Sequence, residues 1–104
     1  MYKYKAVIEL DDEKLRADHY NVEDAYRIVK KMFADKGIED ISEGEHLVFV
    51  TDTGKGWSGI SANFVTLWQD WARPYLKLME FYDFKKGKVV NIIDSFENVK
   101  KRFG

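Results

Sequence analysis

Apolar and polar residues alternate from the start of the chain. Tyr2, Tyr4, Ala6, Ile8 and Leu10 fall on one side of a period-two pattern, Lys3, Lys5 and Glu9 on the other, with Val7 the exception. That period marks a half-buried strand of an antiparallel sheet and predicts one over 2–10. Asp11, Asp12 and Glu13 read as a turn, after which Leu15, Ala17 and His19 alternate against Arg16, Asp18 and Tyr20. An N-terminal hairpin is therefore expected, its second strand over 14–20.

The period then changes. Asn21 is a favourable helix cap, and Glu23 and Asp24 supply acids to the first turn, where the helix dipole favours them. Val22, Ala25, Tyr26, Ile28, Val29, Met32 and Phe33 fall on one side of a helical wheel, and Gly37 stops the helix. The stretch 38–45 is acidic and turn-like, and 46–51 (HLVFVT) reads as a strand. A glycine-rich loop is expected over 52–59 (DTGKGWSG). A helix follows over 60–72, with Ile60, Phe64, Val65, Leu67, Trp68, Trp71 and Ala72 on one side, and Pro74 ends it. An aromatic strand over 75–84, a turn at Lys85-Lys86-Gly87-Lys88 and a strand over 89–93 form a second hairpin. Asp94 with Glu97 reads as the capping box of a short last helix, with Phe96, Val99 and Phe103 on one side and Lys100, Lys101 and Arg102 in its final turn.

The order ββ-α-β-α-ββ-α predicts an α+β fold. Its sheet would be mostly antiparallel, of about 4–5 strands, with two main helices and a short C-terminal helix on one face. Neither repeat nor linker breaks the 104 residues, so one domain over 1–104 is expected. At 45% hydrophobic and 15% aromatic residues, the chain is rich enough in core formers to argue against disorder.

Composition narrows the function. The chain has no cysteine, which excludes disulfides, thiolate zinc sites and thiol nucleophiles from this sequence. No secretory signal follows Met1, and no apolar run approaches the roughly 18 residues of a membrane span; the cytosol is the expected setting, without membrane attachment. The net charge of −1 offers little general attraction for nucleic acid. The charge is unevenly spread: residues 1–52 carry 8 Lys/Arg against 13 Asp/Glu, and 53–104 carry 9 against 5. Opposite halves of this kind either attract one another within one fold or favour self-association.

Candidate chemistry is sparse. Gly54-Lys55-Gly56-Trp57-Ser58-Gly59 reads G-x-G-x-x-G between a strand and a helix, where backbone N–H groups and the helix dipole can hold an anion. The glycines start four residues beyond Val50, Trp57 is bulky for a pyrophosphate loop, and the chain has no room for the second half of a dinucleotide fold. Asp52-Thr53-Gly54 spells the aspartic protease triplet, but those enzymes are all-β, so a turn is the expected role. His46 with Glu39, Asp40, Glu43 and Glu45 could supply metal ligands, yet their spacing matches no calcium loop, and no metal or cofactor is expected. His19 shares a strand side with Leu15 and Ala17 and is expected to be packed. Ser58 or Ser61 with His46 and Asp52 could be drawn as a triad, without a nucleophile-elbow pattern to support it. Trp57, Phe81 and Tyr82 are the candidate interaction residues, as aromatics able to anchor a protein interface.

No catalytic set of specific spacing emerges, and the reading leans away from an enzyme. The expectation is a binding or regulatory module acting through protein contacts or self-association, with nucleic acid disfavoured. The alternative is an anion or phosphate site at the 52–59 loop, with room for catalysis.

Overall fold

The computed structural model describes residues 2–44 and 46–103, the last four by backbone alone. Strand β1 (Tyr4–Leu10) is followed by two helices, α1 (Asp12–Ala17) and α2 (Val22–Asp35). Strands β2 (Glu39–Asp40) and β3 (Leu47–Thr51) come next, then the long helix α3 (Gly54–Gln69) and a 3-10 turn at Arg73–Tyr75. Strands β4 (Leu76–Asp83) and β5 (Lys88–Asn91) and helix α4 (Ile92–Phe103) complete the chain. The five strands form one antiparallel sheet in the order β2-β3-β1-β4-β5. This is the α+β fold expected, with β1, the first strand in sequence, at its centre.

Register decides which side chains share a face. Ala6 sits between Phe49 and Phe81, and Ile8 between Leu47 and Met79. These positions carry the core, with Ala6, Ile8, Phe49 and Met79 fully buried. From α2, Phe33 stacks on Phe49 with ring centroids 4.0 Å apart, and Val29 is fully buried beside it. From α3, Phe64 meets Phe81 edge to face at 6.4 Å. Phe96 of α4 reaches Trp68 of α3 at 5.3 Å. All the helices therefore cover one face of the sheet, and the face carrying Lys5, Val7 and Glu9 has none over it.

Several local expectations are corrected. Residues 14–20 are not a strand. Asp11 caps α1 by accepting the Lys14 N–H at 3.0 Å, and Asp12 and Glu13 suit the first turn's dipole. A six-residue helix that buries only Leu15 carries too little apolar pattern to be told from alternation. His19 is exposed rather than packed and adopts φ +65° in the turn into α2. Residues 54–59 are not a loop, because Thr53 caps α3 through its hydroxyl, which accepts the Gly56 N–H at 2.9 Å. Asn91 rather than Asp94 caps α4, accepting the Asp94 N–H at 3.0 Å. Glu45 and the side chains of Lys100, Lys101, Arg102 and Phe103 lie outside the described residues. Asn21 caps α2 as expected, and Gly37 follows it at φ +71°, a conformation glycine adopts freely.

Candidate functional site

The glycines of 54–59 are packing residues as much as helix openers. A Cβ on Gly56 would stand 1.9 Å from Thr51 Oγ1, and one on Gly59 would stand 3.1 Å from Lys36 Cβ. Lys55, Ser58 and Gly59 border an open cleft of about 620 Å³ with Asp35, Lys36 and Gly37 at the end of α2. Trp57 points elsewhere, since two residues along a helix turn a side chain through about 200°. Its ring, 43% exposed, lies edge-on to Phe81 at 6.5 Å. Phe81 in turn stacks on Tyr4 at 5.9 Å and is half-buried. Trp57 and Phe81 thus meet on the helix side of the sheet, while Tyr82 points to the open side.

The open face is ordered by register into rows. One row runs Glu39, Val50, Lys5, Tyr82, Val89, and the next runs Val48, Val7, Glu80, Asn91. Glu9 lies beside Leu78 in the row below, with His46 Nδ1 at 2.7 Å from Glu9 Oε1. Val7, Val48, Leu78 and Tyr82 are half-buried, whereas Val89 is 56% and Phe84 50% exposed. Lys5 Nζ sits 4.2 Å from the Tyr82 ring centroid and 5.8 Å from that of Phe84. A lysine held over aromatic faces keeps its charge while its stem covers apolar surface. Tyr2, Ile41 and Phe84 rim a shallow apolar depression of about 460 Å³ floored by Val50, the one open-face residue that is almost fully buried among those described.

Titration follows the same geometry. Burial, with the Glu80 charge beside it, pushes the Tyr82 hydroxyl above its ordinary range. The Tyr2 hydroxyl donates to Glu39, which raises Tyr2 likewise. Both tyrosines stay neutral donors on this face at physiological pH.

His46 lies on the open face and α3 on the other, so the sheet separates His46 from Ser58 and Ser61. Among the described residues no three His, Asp or Glu side chains converge as a metal cage requires. No helix among the described residues is long and apolar enough to cross a membrane.

Of these open-face residues, only Tyr82 is among the interaction candidates that the sequence suggests; Lys5, Val7 and Glu9 appear there as the outer side of the first strand, and Val50 and Phe84 as members of expected strands. The signal was Val7, the apolar residue on the polar side of the first strand. A strand whose outer side is to stay solvated has no need of it. Comparison with family models, with curated proteins and with solved structures found no match.

Proposed function

We propose that this chain is a non-enzymatic binding module that acts through protein contacts at the open face of its sheet. One observation carries the reading: the helices cover one face only and leave Val7, Val48, Leu78 and Tyr82 half-buried on the other, beside exposed Phe84 and Val89. Apolar and aromatic side chains interleaved with the charges of Lys5, Glu9 and Glu80 on the central strands can form an interaction surface in which charge sets the register of the partner. Aromatic side chains with a fixed lysine above them offer a preordered anchor. The cytosol is the setting taken, where a domain that folds without disulfides needs nothing further from its compartment.

The test is affinity capture with three baits: the wild-type chain, Val7→Asp on the open face, and Lys31→Glu on the outer side of α2. A protein held by the first and third and lost by the second supports the reading. Equal retention by all three baits rejects it.

A second reading keeps the cleft between α2 and α3 as an anion site, favoured by Lys36 on its α2 side and by Lys55 and Ser58 on its α3 side, with the Asp35 carboxylate opposing. A phosphate compound at a hundred times its Kd would then stabilise the fold by about 2.7 kcal/mol. Lys55→Ala would abolish the rise in melting temperature. No rise with any phosphate compound removes this reading.

A further inference from the structure

We infer that the partner of the open face is a second copy of this chain, packed face to face about a twofold axis that crosses the strands at Val7. The inference rests on the open-face reading and names its occupant.

The central strand is self-complementary. Lys5, Val7 and Glu9 are the residues β1 presents to the open side, and the order is cation, apolar, anion. Turning a copy about an axis across the strands at Val7 brings Lys5 of each over Glu9 of the other and Val7 onto Val7. Opposite charges then face each other twice, once on each side of the axis. An axis along the strands would set Lys5 on Lys5 and Glu9 on Glu9, which like-charge repulsion opposes. The flanking strands agree with the first choice. Tyr82 of β4 comes over Leu78 of the second copy, and Val48 of β3 meets its own counterpart, continuing the apolar contact at Val7.

The size sets the strength. Five strands spaced about 4.8 Å apart, with a central strand of seven residues, present a face of roughly 20 by 20 Å. Two copies would bury on the order of 1,000 Å² once side-chain relief is included, the lower edge of specific interfaces. A weak, concentration-dependent dimer is the outcome, not an obligate one. The axis makes one repulsive approach: Glu80, in the Val7 row, faces its own counterpart.

Sedimentation equilibrium from micromolar to near-millimolar protein tests the arrangement. The wild type is expected to dimerise reversibly. Lys5→Glu and Glu9→Lys should each weaken the dimer by about tenfold or more, since two contacts change sign in each. The double variant Lys5→Glu with Glu9→Lys should recover most of the loss, because the pairs are restored with their signs exchanged. Glu80→Gln should tighten the dimer. Lys31→Glu, on the outer side of α2 and away from the open face, is the control and should leave association nearly unchanged. A monomer at every concentration overturns the inference, as does a dimer that none of the open-face substitutions moves, or a double variant no better than the singles. If the wild type is monomeric and Val7→Asp still loses a captured protein, self-pairing fails and the binding face stands. If Val7→Asp loses none, both fail.

Discussion

Two glycines of α3, two residues apart, have opposite reasons to be glycine. Gly56 is buried with Thr51 pressed against it, so that a methyl group would meet Thr51 Oγ1 at 1.9 Å and Thr51 Cβ at 2.6 Å. The neighbour is a β-branched residue in a paired strand and has no free rotation by which to withdraw. Gly54 has nothing within 4 Å of its Cβ position. Gly56→Ala is therefore expected to destabilise by about 1–3 kcal/mol, the range of an overpacked core. Gly54→Ala is expected to stabilise by about 0.4–1 kcal/mol by restricting the unfolded chain. Urea denaturation of the two variants checks the pair, and equal effects would show that the contact at Thr51 does not govern the site. The same helix carries Asn63, the buried polar side chain among the described residues.

Elements differed in how readily the sequence revealed them. Helix α2 was legible because one apolar face repeats over 14 residues and both ends are marked, by Asn21 and by Gly37. Helix α1 was not, because a single buried Leu15 sets no period and its start, Asp11 to Glu13, has the composition of a turn. The first turns of α3 were hidden by glycines whose role is close approach to Thr51 and Lys36, a tertiary fact. The candidate site suffered more than the fold: register across β3, β1 and β4 assembles the open face, and no local pattern encodes which strands become neighbours. Short α1 is fixed from outside, by the Tyr75 hydroxyl donating to Asp18 Oδ2 at 2.6 Å from the 3-10 turn. That hydrogen bond, with burial and the Asp18 charge behind it, raises Tyr75 well above its ordinary value of 10.0. A phenol raised on folding contributes stability that is complete below its unfolded pKa and is lost as pH climbs through the folded one. Wild-type stability should accordingly fall above about pH 10. Tyr75→Phe should be less stable at neutral pH but lose less on going alkaline. Urea midpoints across that range check it, and parallel curves would remove Tyr75 from the alkaline transition.

At the scale of the whole molecule, the chain closes on itself along β1 and β4. Tyr4 pairs with Asp83 and Ile8 with Met79, so the two halves of the chain meet along the longest ladder of the sheet. Among the described residues the ion pairs Arg27–Asp24, Lys30–Asp40, Lys31–Asp35 and His46–Glu9 all lie within the first half, so packing and backbone pairing rather than ion pairs join the halves. This closure also grades stability across the structure. Strand β1 is paired on both sides, and its inward residues Ala6 and Ile8 are fully buried. Strand β5 is an edge of four residues, all exposed, and α4 joins the core by a few half-buried residues such as Ile92 and Phe96. Amides protected by central pairing exchange only when the whole domain opens, whereas units with few buried contacts open at lower free energy. Native-state hydrogen exchange should therefore place the amides of β1 and its partners at the global unfolding free energy. The amides of β5 and the start of α4 should lie below it as one group. Exchange from β5 as slow as from β1 would mean that the last hairpin and helix open only with the rest. It would also place the weakest point of the sheet at the two-residue strand β2.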